Sequence, residues 1–173
     1  MNKASFDKSW NYFRTVNGVG LRAIAALPAD QIDSHPIPNM RTPKELVIHQ
    51  YQIIRDLTQA IVDGQAFDST PLEEAAAKRI KTKDELLAFC RESWDAGAKN
   101  AAKVTDAQIQ GLVKTPWGHD FPGSVMLQVL TDEYWHHRGQ LYCFLRALGV
   151  APPSLYDTEN NEAGFKEQQE AGA

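Results

Sequence analysis

Several large classes of protein are excluded by what this sequence lacks. Two cysteines, Cys90 and Cys143, among 173 residues are too few for a disulfide framework, and both fall in stretches of helical periodicity, as expected in a reducing compartment. No run approaches the ~18 consecutive apolar residues of a membrane span. The opening MNKASFDKSWNYF has no apolar stretch of the kind a secretory leader needs, so the expected location is cytoplasmic, with no membrane partner. Positive charge is also short. Eighteen Lys and Arg against 22 Asp and Glu leave −4, so no global field draws the chain to a phosphate backbone, and nucleic acid is not an expected partner. There is no internal repeat and no linker between domains.

What is present is the composition of one globular domain, 43% apolar and 23% charged, in a chain long enough to bury about 70% of its unfolded surface around a single core. Phe6, Trp10, Phe13, Val16, Leu21, Ile24 and Leu27 recur mostly at three- and four-residue steps, which predicts a first helix over 5–27, stopped by Pro28. A proline-punctuated loop follows. Thr42, Pro43 and Glu45 then form a capping-box signature and open a second helix that runs to Gly64. Thr70, Pro71 and Glu73 repeat the pattern before a short polar helix over 71–79, and Thr82 with Glu85 starts a third long helix reaching about Lys103. Residues 105–122 read as loop with room for a small hairpin. The last long helix begins after Gly123 and ends at Leu148, where Gly149 and Pro152-Pro153 prevent its extension.

The expected fold is therefore all-α, a four-helix bundle over residues 1–158 with long connections, a short extra helix and a small hairpin, followed by a frayed polar tail over 159–173. The large aromatics Trp10, Phe13, Phe89 and Trp94 on the first and third long helices suggest a homodimer, unless they fill the monomer core.

Chemistry concentrates on two helical stripes. On the second helix His49 takes the step between Leu46 and Ile53, and so points inward. On the last, Met126, Leu130, Glu133, His137, Gln140, Phe144 and Leu148 alternate steps of four and three, placing three polar side chains on a face expected to be apolar. Glu133 and His137 are one turn apart and can converge on one point. A buried carboxylate is costly by several kcal/mol unless a cation compensates it. A divalent metal would do so while accepting imidazole nitrogen from His49 and His137, leaving a fourth position open. Spacing alone leaves other readings standing: a hydrogen-bonded core histidine at His49, an acid–imidazole pair at Glu133 and His137, or His136 as the ligand in place of His137. Glu133 and His136 also make the Glu-x-x-His unit of di-iron bundles, but that site needs a second such pair, which the sequence does not contain.

The string HHRGQLYCFLRALGVAPP, preceded by DEYW and by an upstream TPKELVIHQ, resembles the DinB-like superfamily over nearly the whole chain. That superfamily includes the YfiT-like thiol transferases and the amino-terminal domain of mycothiol-dependent maleylpyruvate isomerase. The resemblance implies a four-helix bundle with one divalent ion, commonly zinc or nickel, held by His49, Glu133 and His137. Many members carry histidine where Glu133 stands; the isomerase branch carries glutamate. His136 and Gln140 would then flank the ligands, Gln140 by hydrogen bonding one of them, while Arg138 makes a structural ion pair.

The activity implied is a metal-dependent thiol S-transfer or hydrolysis, with metal-bound thiol or water attacking a small electrophile. A low-molecular-weight thiol would be the second cofactor. No other acid or base is evident beyond His119, in the loop WGHDF, where Trp117 and Phe121 could line a pocket. The alternatives are a non-catalytic, metal-stabilised dimer with a stress-related role, and a non-haem iron oxygenase using the same ligand set.

Overall fold

Threonine side chains start three of the helices. Thr42, Thr82 and Thr105 each accept from the backbone amide three residues on, and Glu45, Glu85 and Gln108 reach back to complete the capping boxes. The computed structural model describes residues 1–167, in which six α-helices run as α1 (Lys3–Ala25), α2 (Pro43–Asp63), α3 (Thr70–Arg79), α4 (Lys83–Lys103), α5 (Asp106–Gln110) and α6 (Gly123–Ala147). Between α5 and α6, β1 (Leu112–Val113) pairs antiparallel with β2 (Phe121–Pro122), so the hairpin is present at its smallest size. Helix α1 begins two residues before its predicted start because Asn2 accepts from the Ser5 amide and caps it. Gly149, at φ 76°, ends α6 in the left-handed conformation that favours glycine. No described helix is long and apolar enough to cross a membrane.

The fold is all-α. Helix α2 packs against α4 on one side and α6 on the other, and α1 closes the bundle against α4 and α6. Phe6, Phe13, Ile54, Leu86, Leu130 and Phe144 are fully buried between them, each burial contributing roughly 1.5–3 kcal/mol. Phe13, Phe89 and Trp94 lie in the monomer core, and Trp10 stacks on Trp94 with ring centroids 5.0 Å apart. The aromatics that suggested a dimer thus pack within one chain.

One polar group sits at the centre of this core. The Oδ1 of Asn17 on α1 accepts from Tyr51 Oη of α2 at 2.7 Å and from Tyr134 Oη of α6 at 3.0 Å. Burial pushes both phenols well up from their ordinary pKa, so both remain donors. Gly20 makes the second contact sterically feasible: a Cβ there would stand 1.9 Å from the Tyr134 hydroxyl.

Three expectations are corrected. Helix α3 is preceded by Ser69, with no side-chain cap, and Thr70 is already helical; Glu73 is turned to another partner, described below. The segment 105–110 is helical, the Thr105–Gln108 box sufficing for one and a half turns. Residues 159–167 are not frayed. Asn161 is buried and donates to the Thr15 carbonyl at 2.8 Å, Arg91 and Glu162 pair through two bonds of 2.7 and 2.8 Å, and Phe165 packs on Trp94. Arg14 donates to the carbonyls of Gly164 and Lys166. Residues 168–173 of the predicted tail lie outside the described residues.

Candidate metal centre

Because α2 packs along α6, His49 in the second turn of α2 meets the Glu133–His137 turn of α6. One ligand atom from each of the three residues lies within 4.8 Å of the others. The two imidazoles cross nearly at right angles, 83°, with centroids 4.7 Å apart, and His137 Nε2 is 3.2 Å from Glu133 Oε2. A tetrahedral ion with bonds of ~2.0–2.1 Å holds its ligands about 3.4 Å apart, so closing the triad on an ion asks for movements of roughly 1 Å. Two nitrogens and one carboxylate oxygen are a donor set that suits a divalent transition metal. The residues fit the group.

The far side of each imidazole is also held. His49 Nδ1 lies 2.9 Å from both carboxylate oxygens of Glu73 on α3, and His137 Nδ1 is 3.0 Å from Gln140 Oε1. A ring that donates from Nδ1 keeps its lone pair on Nε2, the form in which imidazole ligates a metal. Gln140 in turn donates from Nε2 to His136 Nε2 at 3.0 Å, so the exposed His136 ring touches the amide that orients His137. Burial opposes ionisation of Glu73, but the hydrogen bond from His49, with the nearby Arg41 charge and the Ser69 hydroxyl, holds its carboxyl below the usual range. Glu73→Gln should weaken metal binding by about 10–100-fold while leaving one ion per chain at saturation, measured by competition with a chromogenic chelator.

Burial is distributed differently from the sequence expectation. The His137 side chain is 10% exposed and that of Glu133 is 45% exposed, so Glu133 stands at the rim, where water can solvate it. The buried ligand is the imidazole. Burial lowers the pKa of His137, followed by the opposing pull of the Gln140 hydrogen bond, the repulsion of His49, and the attraction of Glu133. Such a ring is neutral and competent to ligate at physiological pH. Its folded pKa lies below the unfolded value of ~6.5, so the unfolded chain binds the extra proton first. Metal-free protein should therefore lose stability as pH falls from about 6.5 through that lowered pKa, a loss that His137→Gln removes, read by urea unfolding across pH.

The triad opens on a cavity of about 380 Å³, walled by Leu46 and Phe144 and edged by Arg41, Met40 and His136. The loop before α2 supplies Met40 and Arg41. His35 Nδ1 meets the Met40 carbonyl at 3.1 Å, and Asn39 takes a left-handed turn at φ 62°. The loop carrying His119 does not line this cavity, and neither do Trp117 and Phe121. It precedes the start of α6, and ten residues of helix put Glu133 about 15 Å further on. Arg138 makes no ion pair among the described residues; its guanidinium lies 4.8 Å over the Trp135 ring. Glu73 was hidden in the sequence by its resemblance to a capping glutamate.

With this geometry in view, comparison with known proteins decides the family. The model of the DinB family matches residues 1–170. The chain belongs to the DinB family. The fold also matches the crystal structure of a DinB-like protein, YjoA, from Bacillus subtilis, with a TM-score of 0.67 over 85% of this chain and 95% of that one, at 17% identity. No curated protein matches the sequence. This DinB family chain thus combines the family's bundle with a His–Glu–His cluster at one open cavity.

Proposed function

We propose that this DinB family protein is a divalent-metal-dependent enzyme of the thiol S-transferase or hydrolase type, using zinc or nickel. The observation that carries the reading is the cluster of His49, Glu133 and His137 facing a cavity, with both imidazoles held from behind by Glu73 and Gln140. An ion bound there would lower the pKa of a thiol or water and so supply a nucleophile near neutral pH. The chain's own residues do the rest. Glu73 and Gln140 hold the two rings in their ligating tautomers, Leu46 and Phe144 give an electrophile an apolar wall, and Arg41 at the edge attracts negative charge. His136, on the cavity wall but outside the triad, is placed to take or return a proton. A cytoplasmic location would supply reduced low-molecular-weight thiols and accords with Cys90 and Cys143 both being free.

The test is elemental analysis of purified protein beside His49→Ala and Glu133→Ala, followed by transfer assays. Several low-molecular-weight thiols are offered with a model electrophile, against a positive-control enzyme. About one ion per chain, lost in both variants, together with metal-dependent turnover, is the expected result. Unchanged metal content in the variants would sink the site. Metal retained without transfer or hydrolysis would leave the metal-stabilised, non-catalytic bundle as the better reading.

A further inference from the structure

A second cavity of about 600 Å³, which none of His49, Glu133 and His137 lines, lies between α2, α3 and α4. Its volume is within the range of small-molecule sites, ~300–1,000 Å³. Four cations rim it: Arg55 from α2, Arg79 from α3, and Lys99 and Lys103 from α4. None of the four forms an ion pair among the described residues. In a chain of net charge −4 that is a local reversal of sign.

The remaining surface is of two kinds. Phe67 and Leu72 stand at the rim, 46% and 50% exposed, continuous with an apolar wall that includes Ala76 and Phe89. The buried polar residues Gln52, Asp56 and Asn100 also contribute to the lining. Asp56 is the one carboxylate there, and both its oxygens take the Gln52 amide at 2.9 Å. Burial pushes its pKa up, ahead of the opposing Gln52 and Ser69 hydrogen bonds.

We propose that this cavity is a second binding site, separate from the His–Glu–His centre, for a small organic anion with an apolar body. Unpaired guanidinium and ammonium groups rimming one space, as Arg55, Arg79, Lys99 and Lys103 do here, suit carboxylate, sulfonate or phosphate head groups. The exposed phenyl and leucyl groups recognise the rest of such a molecule, since burying them against it removes apolar surface from water. An inorganic anion would use only the first half of the site, and a neutral hydrocarbon only the second.

The probe is 8-anilinonaphthalene-1-sulfonate, titrated by fluorescence into full-length, metal-stripped protein, beside uncharged N-phenyl-1-naphthylamine and inorganic sulfate. The expected result is saturable binding of one sulfonate probe per chain, at least tenfold tighter than the neutral analogue and not displaced by millimolar sulfate. Affinity should fall at least tenfold in Arg55→Glu/Lys99→Glu and stay within twofold in Arg138→Glu/Arg146→Glu and in His137→Ala. Circular dichroism checks that each variant is folded. Should the charge-reversed pair fail to fold, Arg55→Gln/Lys99→Gln carries the same expectation with a threefold loss. Non-saturable binding, equal affinity for the neutral analogue, or binding that survives removal of Arg55 and Lys99 charge overturns the proposal. Loss of binding in His137→Ala would also overturn it, by placing the anion at the other cavity.

Discussion

His137→Ala should reduce the metal content of the purified protein from about one ion per chain to background, with affinity falling by on the order of 10³-fold or more, beyond the 10–100-fold typical of an outer partner. The expectation rests on position. His137 is the most buried of the three candidate ligands, its Nε2 faces Glu133, and its Nδ1 is fixed by Gln140, so no neighbouring side chain can take its place without repacking α6. His136 is exposed, and its Nε2 is engaged by the Gln140 amide. Stability supplies a second readout. An ion at a thousand times its Kd stabilises the native state by about 4 kcal/mol. The rise in Tm on adding zinc should disappear in the variant, while the metal-free Tm separately records the cost of the lost packing and of the lost Gln140 bond. A zinc-dependent rise that persists in His137→Ala would place the ion elsewhere.

Asn17→Ala should cost the fold about 2–4 kcal/mol, a large share of the roughly 5–15 kcal/mol that holds a domain together. The side chain is fully buried, and its one oxygen serves two phenols from two other helices. Truncation leaves two buried hydroxyls without an acceptor, each costing about 1–3 kcal/mol. Part of that is offset, because Asn17 Nδ2 is itself buried without a partner and its desolvation cost vanishes with it. Urea unfolding, read as a fall in midpoint at constant slope, measures the net effect. Tyr51→Phe in the same background should recover part of the loss, since it removes one of the two stranded hydroxyls; no recovery would mean that cavity formation, not hydrogen bonding, dominates.

What could be read from the sequence was what is local. The Thr42–Glu45 and Thr82–Glu85 boxes are decided by residues three apart, and the structure forms both as expected. The Thr70–Glu73 pair carries the same letters, yet Glu73 bonds His49, a partner contributed by another helix and invisible to spacing. The stripe on α6 correctly brought Glu133, His137 and Gln140 to one side. It overstated the burial of Glu133, because periodicity fixes a direction around the helix axis and says nothing of how near that turn lies to a solvent-filled cavity. His119 belongs to a loop, where no period applies, and its placement beside the site was not realised. Asn161 was masked by the polar composition around it; one buried amide bonded to the Thr15 carbonyl sets the path of that segment.

The docking of residues 159–167 changes how the first helix can come apart. A helix at the edge of a bundle can detach by local opening, at a cost below that of global unfolding. Helix α1 is gripped near its middle instead, with Arg14 and the Thr15 carbonyl bonded to the last described turn, and that turn tied onward through Glu162 to Arg91 of α4. To release α1, residues 161–166 must let go first or at the same moment. Helix α1 and residues 161–166 therefore share one cooperative unit, and a break in either is transmitted to Trp94, on which Trp10 and Phe165 both pack.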